Sequence, residues 1–203
     1  MIAVLLVAAA VTAKVPPPVR VAVCDPNHFL SKVYQDLLGR PIDPAATNYW
    51  LTFMKNGASR AQVATEMMRS NEYKSIVARD AYNMYLHRAP SASDIAAFAG
   101  ELPILSSNEY FTRRGGGMTQ GFINALYQDV LGRAADPQAI ALFSNVSRSA
   151  AAQQVLSSTE ARQRAINALY SKYLHHAAPP SAFSLTHDQA VTTIIASDEY
   201  CRQ

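Results

Sequence analysis

The string YQDLLGRPIDP at residues 34–44 returns as YQDVLGRAADP at residues 127–137, and this recurrence limits the fold more than any other property of the chain. Self-similarity at a long period marks a duplicated supersecondary unit that buries its apolar face on a neighbouring copy. The match extends upstream, where FLSKVY at 29–34 parallels FINALY at 122–127, and downstream, where Trp50 falls on Phe143. A looser echo divides each copy again: YNMYLHR at 82–88 follows the pattern of residues 34–40, and YSKYLHH at 170–176 that of residues 127–133. Each of the resulting units closes on a related string, SNEY at 70–73, SNEY at 107–110, STEA at 158–161 and SDEY at 197–200.

The physics of the units is helical. Phe29, Leu30, Val33, Tyr34, Leu37 and Leu38 recur at steps of three and four and form one apolar stripe. The stripe stops at Gly39, a residue that takes the left-handed helix-ending conformation without steric penalty. His87 and His175 align with Gly39 and Gly132, so helix-end positions are expected for them, and histidine tolerates that conformation better than most residues. Asp43-Pro44 supplies an N-cap acceptor and a proline at the first helical position, which predicts a second helix running to Asn56-Gly57. Ser59 with Gln62, and Thr186 with Gln189, read as capping boxes. Only VRVAVC at 19–24 alternates like a strand. The expected fold is therefore all-α, with two tandem small helical domains at 29–111 and 121–203, each built from two loosely repeated multi-helix units. Residues 112–120, with three consecutive glycines, have the composition of a flexible linker between them.

The ends carry different information. Residues 1–13, MIAVLLVAAAVTA, form an apolar run ending in small residues, as a cleaved signal peptide does, and the run is too short to span a bilayer. Residues 14–28, with VPPPVR, read as a Pro-rich tether. The expected location is exported, in the periplasm, at the cell surface or secreted, with no membrane span after cleavage. Cys24 and Cys201 flank the folded region. In an oxidising compartment they would close one disulfide around a very long loop; the other reading is two separate thiols at the chain ends.

Charge argues against nucleic acid as a partner. Residues 29–110 hold eight basic and eight acidic side chains, residues 122–203 hold six of each, and the net +3 lies in Lys14, Arg20, Arg113 and Arg114 less Asp25. A binder of phosphate backbones needs a clustered basic face, and neither half has one. No nucleophile elbow, zinc-protease helix or phosphate loop is present, and His175, His176 and His187 lack metal-ligand spacing. No catalytic residue, cofactor or metal is expected.

The candidate partner-binding residues are Asp36, Arg40, Tyr49, Asp129 and Arg133. Asp36 and Arg40, like Asp129 and Arg133, stand one helical turn apart. One role is stitching, in which the pair, joined by the glutamate of the S-x-E-Y string, ties one helix end to the next. The other is contact with a ligand in the loops that follow Gly39 and Gly132. Met84 and Lys172 replace the aspartate in the intervening units, so the domain rather than the single unit is the expected module. Trp50 and Phe53 at helical spacing read as core, and Tyr49, about 100° round the helix, as exposed.

Residues 29–73, with the F-x-x-x-x-Y-x-x-L-L-G-R-x-x-D-P start, Tyr49-Trp50, the N-G-x-S turn and the S-x-E-Y end, resemble the bacterial domain of unknown function 4214. A second copy begins at GFINALYQDVLGRAADP and departs later, where Phe143 replaces tryptophan and Ala161 replaces the last tyrosine. More distantly, the pattern is similar to the helical linker domains of phycobilisomes, which bind proteins without catalysis. The resemblance implies an exported or surface-associated helical module with no established reaction. The expected function is non-enzymatic binding of a protein or cell-envelope component; the alternative is a glycan-binding or glycan-cleaving envelope protein using Tyr49, Trp50 and nearby carboxylates.

Overall fold

The computed structural model describes residues 24–203. The signal-peptide reading of 1–13, the greater part of the tether at 14–28 and all but Cys24 of the alternating run at 19–24 fall on residues outside that range. The last of the tether is already helix: α1, Pro26–Val33, begins on Asp25, whose carboxylate accepts from the Asn27 and His28 backbone N–H groups. Its continuation Tyr34–Leu38 is wound as a π-helix and stops at Gly39, φ 67°. Three helices follow: α2, Pro44–Lys55, capped by Asp43; α3, Arg60–Arg69, capped by the Ser59–Gln62 box; and α4, Asn71–Leu86, capped by Ser70. Short helices α5, Ala92–Ala96, α6, Glu101–Leu105, and α7, Asn108–Arg113, complete the first half.

The second half repeats the plan with α8, Thr119–Leu131, ending at Gly132, φ 72°, then α9, Pro137–Phe143, α10, Arg148–Leu156, and α11, Thr159–Leu174. A 3-10 turn at Pro180–Ser184 leads to α12, His187–Ala196, capped by the Thr186–Gln189 box, and to α13, Asp198–Cys201. No strand occurs among the described residues, so the fold is all-α. Among the described residues, His87 (φ 51°) and His175 (φ 59°) are the two non-glycine residues with left-handed backbone, at the same helix-end position that Gly39 and Gly132 fill.

The apolar interior divides differently from the sequence. One core joins Phe29, Leu30, Val33, Trp50, Val63 and Met67 to Ile166, Tyr173, Val191, Ile194 and Tyr200, so the first unit packs on the last. The other joins Tyr85, Leu105 and Tyr110 to Phe122, Leu126, Phe143 and Val155, so the second packs on the third. The sequential division into 29–111 and 121–203 is therefore not the division of the cores: each core draws on both halves. Two helices carry the chain between them. Helix α4 packs Tyr73 and Ile76 in the outer core and Ala81, Tyr85 and Leu86 in the inner one. Helix α11 runs the other way, from Ala161 in the inner core to Ile166 and Tyr173 in the outer.

Residues 112–120, expected as a flexible linker, form a tight corner. Helix α7 already occupies residues up to Arg113, and Arg113 donates to the Leu86 carbonyl. Gly115 is buried, and a Cβ there would lie 2.7 Å from the Phe111 carbonyl oxygen and 2.8 Å from Phe122 Cα. Glycine serves here to let the ends of α7 and α8 approach, a use that looks the same as flexibility in composition alone.

Candidate functional site

The repeated polar residues fall into two separate sets. Arg40 does not pair with Asp36. Its guanidinium grips Glu72 through two hydrogen bonds of 2.6 and 2.9 Å, approaches Asp43, and lies 5.1 Å from the Tyr34 ring centroid. Arg133 does the same with Glu160, at 2.6 and 2.8 Å, and with the Tyr127 ring at 5.1 Å. Arg88 holds Glu109 and lies 4.9 Å from Tyr82, and in the last unit His176 approaches Glu199 and the Tyr170 ring. Each unit thus brings its helix-end side chain, arginine in three units and His176 in the last, onto the glutamate of its own repeated closing string. Bidentate pairing draws the Glu72, Glu109 and Glu160 carboxyls below their ordinary value and raises Arg40, Arg88 and Arg133.

The aspartates turn elsewhere. Asp36 accepts a 2.6 Å hydrogen bond from the Tyr200 hydroxyl and sits 3.3 Å from Lys32 Nζ. Asp129 accepts from the Tyr110 hydroxyl at 2.9 Å and from Arg114 at 2.6 and 3.2 Å. In both cases the tyrosine is the last residue of the S-x-E-Y string of the packed partner unit. A second cross-link of the same kind sits nearby: Arg60 reaches Asp198 and the Ser197 carbonyl, and Arg148 reaches Asn108 and the Ser107 carbonyl. The stitching is thus split. Arg40, Arg88 and Arg133, with His176 in the last unit, close the units, while Asp36 and Asp129, together with Arg60 and Arg148, join units across a core.

Both aspartates also line a groove at the seam between the cores. One basin, about 600 Å³, is bordered by Asp36, Leu37, Asp80, Met84, Glu101, Lys172 and Tyr173. It shares Met84, Glu101, Leu169 and His187 with a second basin of about 470 Å³ bordered by Tyr85, Asp129, Val130, Arg162 and Arg164. The residues two and three places after the repeat tyrosine are Asp36-Leu37, Met84-Tyr85, Asp129-Val130 and Lys172-Tyr173, and all eight face this groove. Four equivalent helix ends therefore converge there. Met84 is 58% exposed, an unusual setting for a large apolar side chain on a packed helix. Burial raises the Tyr173 phenol to about 12, with the nearby carboxylates Asp36 and Asp80 adding to it.

Tyr49 stands apart from all of this. It is 61% exposed on α2, parallel to Phe53 with ring centroids 6.3 Å apart, beside Asn48, Thr52 and Asn56. Trp50 is buried and donates its indole N–H to the Tyr34 hydroxyl at 2.8 Å. Cys24 and Cys201 are joined in a disulfide, with Cα atoms 5.7 Å apart. Among the described residues no group of three or more His, Cys, Asp or Glu side chains is arranged to hold a metal ion, and no helix is long and apolar enough to cross a membrane. The candidate binding residues expected from the sequence did not include Lys32, Met84, Tyr110, Arg114, Lys172 or Tyr200. The signal for four of them was present, because Met84 and Lys172 are the aligned replacements of Asp36, and Tyr110 and Tyr200 close the repeated S-x-E-Y strings.

No curated protein and no solved structure matches the chain. Residues 22–77, the stretch from just before Cys24 into α4 that forms one side of the outer core, match the family model described as Domain of unknown function (DUF4214).

Proposed function

We propose that the protein is a non-enzymatic helical module that binds a protein component of the cell envelope through the central groove. The observation that carries this reading is the convergence of the four equivalent helix ends on one cleft, with Met84 exposed between them. Its walls mix Asp80, Glu101, Arg79, Lys172, Arg162 and Arg164 with Leu37, Met84 and Val130. A mixed-charge rim around an apolar floor suits a peptide segment and gives no continuous basic track for a phosphate backbone. The loops after Gly39 and Gly132 are a weaker choice, since Arg40 and Arg133 spend their donors inside the chain. Export is supported by the apolar run at 1–13 and by the Cys24–Cys201 disulfide, a bond that persists in oxidising compartments. The test is capture of crosslinked partners from an envelope extract by the native chain, by Met84→Asp and by Leu142→Asp, an exposed site away from the groove. A partner lost with Met84→Asp and kept with Leu142→Asp is the expected result; equal capture by both, or turnover of a glycan by the purified native chain, overturns the reading.

A second reading rests on Tyr49. Tyr49 and Phe53 form a parallel aromatic ladder beside a polar ladder of Asn48, Thr52 and Asn56, all neutral, on one face of α2. That is suitable chemistry for the C–H face and hydroxyls of a sugar, whereas buried Trp50 contributes only support. A glycan array that shows binding by the native chain and none by Tyr49→Ala favours this site over the groove.

A further inference from the structure

The position of the disulfide acquires a meaning from the repeat. The alignment that sets Phe29 on Phe122 sets Cys24 on Gly117, and the alignment that sets Tyr200 on Tyr110 sets Cys201 on Phe111. In the inner pair of units, Phe111 and Gly117 are bridged by the peptide chain itself and by a Gly117 N–H to Phe111 C=O hydrogen bond of 3.0 Å. In the outer pair the corresponding residues, Cys24 and Cys201, stand 177 positions apart in sequence and are joined by the disulfide. Around it the two seams correspond: Tyr200–Asp36 to Tyr110–Asp129, and Arg60–Asp198 to Arg148–Asn108.

We propose that the four units form a closed ring in which the inner seam is joined by peptide and the outer seam by the disulfide, so that reduction loosens the outer seam alone. A dithiol reductant supplies the chemistry: its thiolate attacks Sγ of Cys24, the less buried of the two residues, the S–S bond breaks and the Cys201 thiolate leaves. The reductant's second thiol then displaces Cys24, ending as a disulfide while the two cysteines take up the two protons. The contacts left on α13, a four-residue helix, are then non-covalent: Tyr200 packed in the outer core and bonded to Asp36, Lys32 over the Tyr200 ring at 4.7 Å, Arg60 on Asp198 and His176 near Glu199. Helix α7 has in addition an unbroken chain into α8. Because Asp36 borders the groove, the same event changes one wall of it and leaves the Asp129 wall in place.

The molecule contains its own reporter. Trp50 is the single tryptophan and lies in the outer core, so its emission follows that core and not the inner one. The experiment compares the oxidised full chain with the chain treated with dithiothreitol, by Trp50 emission and by amide hydrogen exchange. Expected on reduction are a red shift of Trp50 and exchange about tenfold or more faster in α1 and α13, with α7 and the start of α8 nearly unchanged. Equal acceleration at both seams, or none at either, overturns the proposal. A circular permutant gives the second measurement. Cys24→Ser and Cys201→Ser ends are joined by a five-residue Gly-Ser spacer, the length of chain between Phe111 and Gly117, and the chain is opened between Gly116 and Gly117. Protection should return to α1 and α13 without any disulfide; its failure to return in a folded permutant overturns the ring-link assignment.

Discussion

The Tyr200 hydroxyl meets the Asp36 carboxylate at 2.6 Å across 164 positions of sequence, and Tyr110 meets Asp129 in the same way at 2.9 Å. Both rings are fully buried, while the Asp36 and Asp129 side chains remain 26% and 9% exposed. Each bond therefore ties the interior of one unit to the groove-facing end of another.

Removing one such hydroxyl should cost stability without opening a cavity. A hydrogen bond to a charged acceptor contributes roughly 1.5–3 kcal/mol. Tyr200→Phe and Tyr110→Phe should each lower the unfolding free energy by about that amount. Urea titration followed by circular dichroism measures both, and Trp50 emission should follow the first more closely than the second. An unchanged midpoint for Tyr200→Phe would show that the bond ties nothing together.

Gly115→Ala should be more damaging than its chemistry suggests. The new methyl would meet the Phe111 carbonyl oxygen at 2.7 Å and Phe122 Cα at 2.8 Å, and both are backbone atoms that cannot rotate away. Overpacking of this kind costs about 1–3 kcal/mol. Thermal unfolding is the check, with Ser93→Ala, an exposed substitution in α5, as the comparison. A stable, unshifted Gly115→Ala protein would return residues 112–120 to the status of a loose linker.

These two cases show where the sequence was readable and where it was not. The caps at Asp43, Ser59 and Thr186 and the left-handed stops at Gly39, His87, Gly132 and His175 were legible because they depend on residues within one turn. The pairing of units was not, since the apolar stripe from Phe29 to Leu38 fits the stripe of any other unit equally well. The Asp36–Arg40 spacing was a fair helical pair on paper. Gly39 intervenes with φ 67°, so Arg40 leaves the helix and reaches forward to Glu72 instead of back to Asp36. The groove was legible only in part: the aligned series Asp36, Met84, Asp129 and Lys172 was visible, but their convergence depends on unit pairing.

Acid should loosen the closures within units and the Arg60–Asp198 link between the first unit and the last. Arg40, Arg88 and Arg133 hold Glu72, Glu109 and Glu160 below the ordinary 4.5, and Arg60 holds Asp198 below 3.8. Below about pH 4.5 the unfolded chain binds protons that the folded chain refuses, so this stabilisation is present above that pH and is lost as pH falls through the depressed folded values. These groups are largely exposed, so added salt should shrink the effect. Urea midpoints measured from pH 7 downward should hold level to about pH 4.5 and then decline, less steeply in high salt. A flat profile to pH 3 would remove the closures from the stability of the fold.

Base should act on the cores instead. Burial raises the Tyr73, Tyr85, Tyr110 and Tyr200 phenols well above the ordinary 10.0, and the carboxylate partners of Tyr110 and Tyr200 add to it; Tyr173 is raised to about 12. For a phenol the buried, neutral form is the protonated one. Above about pH 10 the unfolded chain loses protons that the folded chain keeps, so stability present below that pH falls as pH rises. Tyrosinate absorbance should therefore appear in two phases, the second coinciding with loss of helical circular dichroism, because the folded chain keeps those five rings protonated beyond the ordinary range. Tyr200→Phe should make the second phase smaller by one residue. Complete ionisation of all ten tyrosines while the helices persist would mean that these rings are not shut away in the two cores.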